Sequence, residues 1–353
     1  MKPRLKHVAD HAGVSTATVS RVLNDKPGVA EPTRRAVLQA MAQLGYEHGR
    51  LRPARRTGLV GLIVPELDNP VFPRFAQALE SRLAREGLTT VLCTSTPSGM
   101  GETDYLDVLQ DHAVTGIVLI SGEHADTSAD HDRYHDLHDH GLPLVLVNGR
   151  DEDLLDIAAV TVDHAEVTRL AVAHLASLGH TRIGLALGPS RYVTAGRLRL
   201  GYLDGLERAH LTVDPTLMTD TIYGIEGGHA AGVNLLPRGV TAVVCASDRM
   251  ALGVIRAARE QGLDVPFDLS VVGFDDAGPN AYYDPPLTSV QQPFERMADA
   301  VVQLLTAQVA DPDAATPELT FRPELVVRGS TGPAATRPNG LRTEPADLTA
   351  GAR

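Results

Sequence analysis

KHVADHAGVSTATVSRVLN, residues 6–24, is the stretch on which the organisation of this 353-residue chain turns. Val8, Ala9 and Ala12 fall on one face of a helix over Lys6–Ala12. Gly13 then supplies the left-handed residue that closes a helix and opens a tight turn. Ser15 suits the N-cap of a second helix running to Asn24, because its hydroxyl accepts from a free first-turn N–H. In that helix Val19, Val22 and Leu23 face the first, and Thr16, Ala17, Ser20 and Arg21 face outward. Two helices joined by a short glycine turn make a helix-turn-helix unit. A third helix over about Pro32–Leu44 starts with Pro in its first turn and carries an apolar stripe of Ala36, Val37, Ala40, Met41 and Leu44. Three such helices close a minimal core, the outline also of any small three-helix bundle.

Charge separates this segment from the rest. The chain carries a formal net charge of -12. Residues 1–60 hold 11 basic and 4 acidic side chains, and the remainder holds 21 basic and 40 acidic. A basic headpiece attracts phosphate, and an acidic body discourages the rest of the molecule from lying along a duplex.

From Leu59 onward short apolar runs alternate with helical stretches. GLVGLIVPE (58–66), TTVLCTS (89–95), GIVLIS (116–121) and PLVLVN (143–148) read as buried strands, and VFPRFAQALESRLAREG (71–87) is one of the helices between them. The alternation restarts with AAVTVD (158–163), RIGLALG (182–188), AVVCAS (242–247) and LSVVGFDD (269–276). Near-continuous apolar strands separated by helices imply parallel sheets covered on both faces, here as two α/β lobes with a cleft between them. In such sheets ligands sit beyond the carboxyl ends of the strands. The polar residues there are Asn69, Ser121, Asp163, Ser247, Asp248 and Asp275.

VADHAGVSTATVSRVLN with TRRAVLQAMAQLGY (33–46) resembles the headpiece of the LacI/GalR family of bacterial repressors. The body resembles that family's effector domain, shaped like a periplasmic sugar-binding protein, in GLIVPELDNPVF (61–72), HLASLGHTRIGLALGP (174–189), SDRMALGVIRA (247–257) and VVGFDDAGPNAYYDPPLTSVQQP (271–293). The resemblance covers nearly the whole chain to about Ser330. It implies an α/β protein with an N-terminal three-helix helix-turn-helix headpiece (1–46), a basic linker or hinge (47–58) and a two-lobed periplasmic-binding-protein-like effector and dimerisation domain with parallel sheets (59–330). The implied function is a sequence-specific transcriptional regulator, a homodimer on a roughly palindromic operator, whose grip on DNA is changed by a small effector such as a sugar.

By the same resemblance the second helix enters the major groove, with Thr16, Ala17 and Arg21 at base-reading positions, Arg being able to grip guanine through two hydrogen bonds. Ser15, Ser20, Asn24, Thr33 and Arg34 are phosphate contacts that fix register. The family's hinge helix wedges a leucine into the minor groove. Here EHGRLRPARRTG (47–58) departs from that pattern, with Gly49 and Pro53 interrupting a helix. Leu51 is the apolar candidate, and Arg52 and Arg55 can follow phosphates. In the body Asp275 is the foremost ligand acceptor, Asp276 its runner-up, and Tyr223 matches a position for stacking on a sugar face. The family's effector-binding arginine falls at Leu198 by spacing, which leaves Arg197 or Arg199 for that role. Dimer contacts are expected to include the helix from Phe72 to Arg85.

His131, His135 and His138 also share a helical face at metal-ligand spacing, although a solvated His/Asp-rich helix is the simpler reading. Cys93 and Cys245 sit in strand-like runs as reduced core thiols. Residues 331–353, rich in Pro, Gly, Thr and Ala, read as a disordered tail without the leucine heptads of a tetramer-forming coil. No apolar run is long enough to span a bilayer, and no signal segment stands at the N-terminus, so a cytoplasmic location is expected. A sugar-binding transport protein or a sugar-metabolising enzyme on the same scaffold are the rivals. The first leaves the basic headpiece without a purpose, and the second lacks a phosphate-binding loop, a dinucleotide fingerprint, a nucleophile elbow and an HExxH motif. No catalytic residue and no cofactor is expected.

Overall fold

A computed structural model describes residues 5–23, 29–44, 58–95 and 99–334. The chain divides into two compact units, Met1–Arg56 and Thr57–Arg353.

In the first unit α1 (Leu5–Ala12), α2 (Thr16–Leu23) and α3 (Glu31–Leu44) enclose a small core of Val8, Ala9, Val19, Val22, Val37 and Ala40. Gly13 closes α1 at a φ of 66°, and Val14 N–H reaches back to Ala9 C=O at 3.0 Å, the six-residue closure of a Schellman turn. Ser15 Oγ caps α2 by accepting from Thr18 N at 3.1 Å. These are the features that define the two-helix unit. One expected core position differs. Ala36 is exposed, because the inward stripe of α3 runs through Val37, Ala40 and Leu44, about 100° around the helix from position 36.

The second unit carries two six-stranded sheets. The first contains β1 (Leu59–Val64), β2 (Thr89–Thr94), β3 (Gly116–Ile120), β4 (Leu144–Val147), β5 (Ala158–Val162) and β11 (Glu318–Phe321), in the order β11-β5-β4-β3-β1-β2 and parallel throughout. Helices α4 (Val71–Arg85), α5 (Glu102–Asp111), α6 (Asp132–Asp139) and α11 (Phe294–Ala310) belong to this lobe. The second sheet, β12-β10-β9-β8-β6-β7, joins β6 (Ile183–Leu187), β7 (Met218–Asp220), β8 (Ala242–Cys245), β9 (Ser270–Asp275), β10 (Thr288–Gln291) and β12 (Glu324–Val326), with only β12 antiparallel. Its helices are α7 (His164–Ser177), α8 (Val193–Arg208), α9 (Ile225–Leu235) and α10 (Asp248–Glu260). Both faces of each sheet are therefore covered, which is why the central strands are buried along their whole length.

The chain passes between lobes three times, after β5, after β10 and after β11. Cys93 and Cys245 are buried and unpaired, and no described helix is long and apolar enough to cross a membrane.

The described residues run beyond 331, the expected start of the tail. Ser330 Oγ accepts from Thr288 N at 2.8 Å and donates to Val271 O at 2.6 Å. Ala334 N donates to Leu178 O at 2.9 Å, and the Gly332 carbonyl lies 3.0 Å from His180 Nε2. Small polar residues look like tail in composition, yet here they satisfy buried backbone groups of the second sheet. Residues 335–353 lie outside the described part. Replacing Ser330 by Ala strands a buried N–H and a buried C=O and should cost about 1–3 kcal/mol of stability, read as a lower urea midpoint at unchanged slope.

Candidate functional site: an interlobe cleft and a basic headpiece

Beyond the carboxyl ends of both sheets lies a cleft with about 840 Å³ of empty volume, part of it open to solvent. Its walls are largely apolar and aromatic: Val71, Phe72, Leu198, Phe274, Tyr192 and Tyr223. The polar groups among them are Glu66, Asn69, Ser121, Asn148, His164, Thr194, Ser247, Asp275 and Gln292. No lysine or arginine is among the described lining residues. Burial, assisted by the positive charge of Arg197, pushes His164 down to about 3, so its ring is neutral at pH 7.

Asp275 ends β9 with a φ of 109°, and Asp276 follows at 49°. Two consecutive non-glycine residues in the left-handed half of the map represent local strain that the surroundings must hold. The surroundings do so. Asp248 lies under the strand end, where its Oδ2 accepts from Asp276 N and Asn280 Nδ2, each at 2.8 Å, and its Oδ1 accepts from Ser289 Oγ at 2.5 Å. Arg328 grips Asp276 with two hydrogen bonds, at 2.7 and 3.0 Å. Asp275 itself accepts at Oδ1 from Gln292 Nε2 at 2.7 Å. Burial, and then the neighbouring Asp248 charge, raise the Asp275 carboxyl well above the ordinary range, and burial pushes Asp248 up to about 7.

Two further acceptors in this wall lack partners. Gln292 Oε1 and Asn148 Oδ1 are buried and make no hydrogen bond. The bond from Gln292 Nε2 to a carboxylate fixes which end of that amide carries the oxygen. Buried polar atoms are nearly always satisfied, so these two acceptors are left for water or for a ligand's donors.

Of the residues expected to meet an effector, Asn69, Ser121, Tyr223, Ser247 and Asp275 line the cleft. Ser247 Oγ also caps α10 by accepting from Met250 N at 3.2 Å. Four others do not line it. Asp163 caps α7 through Glu166 N at 2.9 Å and faces a side pocket with Arg197. Arg197 pairs with Glu318 at 2.8 Å, and Arg199 pairs with Asp220 at 2.6 Å. Asp248 is spent on the network beneath β9. The inward position of α8 is Leu198, 2% exposed, and its two neighbours point about 100° to either side. Asp276 is likewise consumed by Arg328, Gln291 and Asn280. The sequence reading missed Asn148, His164, Tyr192, Thr194 and Gln292. His164 and Gln292 stand at lobe crossings, a position that spacing within one lobe does not disclose.

The lobes are clasped across the cleft on two sides. Arg249 of α10 meets Glu66 at 3.2 Å, and Arg74 donates to Asp276 O at 2.9 Å. On the other side Arg191 pairs with Asp126 at 2.6 Å, and its carbonyl accepts from Thr127 N at 2.9 Å.

The headpiece gathers Ser15, Thr18, Arg21 and Thr33 around one open hollow, with Arg21 and Thr16 exposed. Ala17 and Ser20 fall on α2, and Arg34 falls on α3. Asn24, Leu51, Arg52 and Arg55 lie outside the described residues, and the hinge reading with them.

Residues 4–48 match the model of bacterial regulatory proteins of the lacI family, and residues 172–331 match a periplasmic binding protein-like domain. The HTH-type transcriptional regulator reg1 of Streptomyces lividans is 50% identical over 340 residues, 95% of this chain and 98% of its own. The chain belongs to the LacI family of transcriptional regulators. The HTH-type transcriptional regulator MalR of Streptomyces coelicolor is also 50% identical, over 338 residues, again 95% of this chain and 98% of that one. Among solved structures, the CelR–cellobiose complex has a TM-score of 0.70 at 32% identity, covering 93% of this chain and all of that one. The lac repressor dimer bound to operator and the anti-inducer ONPF has a TM-score of 0.66 at 29% identity, covering 94% of this chain and all of its own. This LacI-family regulator thus has a DNA-binding headpiece and a periplasmic-binding-like body.

One wall of the cleft rests on a glycine. A Cβ at Gly188 would fall 2.1 Å from the Tyr223 ring, so only glycine lets that ring lie against the end of β6. Gly188→Ala should displace Tyr223 and weaken effector binding roughly tenfold or more without altering operator binding by the unliganded protein, as read by titration calorimetry beside operator fluorescence anisotropy.

Proposed function

We propose that this regulator is a homodimeric repressor whose operator affinity is set by a neutral, hydroxyl-rich effector of the sugar class held between the lobes. The observation that carries the reading is the set of acceptors in the cleft. The Asp275 carboxylate, Gln292 Oε1 and Asn148 Oδ1 all call for donors, and Tyr192, Tyr223 and Phe72 offer apolar faces. Sugar hydroxyls donate to the first set, and sugar C–H faces pack on the second. No lysine or arginine among the described lining residues stands ready to grip a phosphate, and Glu66 is already paired with Arg249, so the lining favours a neutral sugar over a phosphorylated one. The cellobiose bound to CelR is an effector of this neutral kind.

At the DNA end, Thr16, Ala17 and Arg21 read base edges in the major groove. Ser15, Ser20, Asn24, Thr33 and Arg34 hold phosphates, and Leu51, Arg52 and Arg55 follow the minor groove and backbone at the operator centre. Two headpieces on one dimer read the halves of a near-palindrome, with the outer face of α4 among the contacts between subunits. The effector acts by binding closed and open lobes with different affinity, since a ligand that bound both equally would shift nothing.

The test is selection of bound DNA from a random pool by the full chain, repeated with neutral mono- and disaccharides and with their phosphates. A palindromic consensus should emerge, and neutral sugars alone should change its recovery. Response to sugar phosphates only would overturn the effector reading, and absence of any consensus would overturn the regulator reading. Arg21→Ala should flatten base preference at one position per half-site by roughly 1–3 kcal/mol and leave the other positions intact.

A further inference from the structure

A cluster in the first lobe has no part in the effector reading. His131 stands at the N-cap of α6 and is 6% exposed. Its Nε2 lies 3.2 Å from the Glu123 carbonyl. A carbonyl only accepts, so Nε2 carries the proton and Nδ1 keeps its lone pair. This is the arrangement that orients metal-binding histidines, the second nitrogen being anchored on a backbone oxygen. Asp151 and Asp153 bring two carboxylates to the same place from the turn after β4. One ligand atom from each of the three residues lies within 4.8 Å of the others.

Asp151 Oδ1 accepts from Asp153 N at 3.0 Å, which holds the turn and leaves the second oxygen available. Among the described residues no lysine or arginine pairs with either carboxylate. Both carboxylates thus keep an oxygen that no described side-chain cation competes for. We propose that His131, Asp151 and Asp153 form a site for one divalent transition-metal ion of the zinc class. Imidazole with two carboxylates suits zinc, and water supplies the fourth position. Bond lengths of about 2.0–2.2 Å require ligand atoms roughly 3.4 Å apart, so from separations of up to 4.8 Å the set closes by about 1.4 Å at most. Asp153 is exposed, and rotation of its side chain accomplishes this.

The ligand set differs from the helical face that the spacing of His131, His135 and His138 brings to mind. His135 faces Asp156 at 3.5 Å instead. The ion would tie the 123–131 arm to the 148–153 segment. Both are walls of the cleft, through Ala125 and Asn148, and the arm is the one clasped to Arg191 of the second lobe. Metal binding thereby stiffens one side of the closed form.

The test uses the full chain freed of any affinity tag and stripped by chelator, titrated with zinc chloride by calorimetry and with cobalt by visible absorption. One ion per chain is expected. His131→Ala and Asp153→Asn should each weaken binding by about tenfold or more, and His135→Ala and His138→Ala should leave it unchanged. Melting curves without metal establish that each variant folds, and zinc should raise the melting temperature of the parent but not of His131→Ala. Because Asp153 is exposed, Asp153→Asn is the deciding variant if His131→Ala does not fold. Absence of stoichiometric binding in the parent, binding that survives Asp153→Asn, or loss of binding in His135→Ala or His138→Ala would overturn the site.

Discussion

A buried carboxylate, Asp248, holds the end of the second sheet in a shape that sheet geometry alone would not adopt. It accepts three hydrogen bonds, from the backbone of Asp276, from Asn280 and from Ser289. Those bonds steady a strand end that leaves β9 through two left-handed non-glycine residues. A carboxylate removed from water is costly unless its lone pairs are met, and meeting them here requires the chain to turn where it does. Arg328 completes the arrangement from the edge strand side by neutralising Asp276. The consequence is that Asp275 is the one acid of the three presented to the cleft.

The same region links the lobes. Arg74 of α4, in the first lobe, donates to the carbonyl of Asp276, and Gln292, on the crossing after β10, donates to Asp275. Any change in lobe angle therefore acts on Asp275 and Gln292 in the cleft wall. A switch needs a discrete alternative arrangement rather than a soft one, and the partly exposed ion pairs Arg249–Glu66 and Arg191–Asp126 are cheap enough to break when the lobe angle changes.

Much of this was legible in the residues. Gly13 and Ser15 marked the turn and cap of the headpiece, and eight apolar runs located β1 to β6, β8 and β9, seven of them interior strands with the near-continuous apolar signature of buried parallel strands and one, β2, a half-exposed edge strand. β7, β10, β11 and β12 were less visible, being short and partly polar at sheet edges or crossings. Asp275 was marked by its place at a strand end. Asp163 and Asp248 carry the same mark but serve as a cap and as a support, and composition does not tell those uses apart. Leu198 shows the clearest limit. A position expected to hold a polar ligand contact holds an apolar one, and the helix period keeps Arg197 and Arg199 out of the cleft. The 331–334 segment shows another, since Thr331, Gly332 and Ala334, which bond to groups of the second lobe, look like a tail until their partners are known.

The central claim is that Asp275 is held in place as the principal acceptor for a neutral ligand. It is tested most directly by titrating a labelled operator with an active sugar, using the parent and Asp275→Asn. That variant keeps the shape and replaces one carboxyl oxygen, an acceptor for ligand hydroxyls, by an amide nitrogen that cannot accept. The account predicts unchanged operator affinity without sugar, with a response displaced to about tenfold or higher sugar concentration, as expected when a hydrogen-bond acceptor is lost from a buried site. A response of Asp275→Asn at the parent's sugar concentration would contradict it.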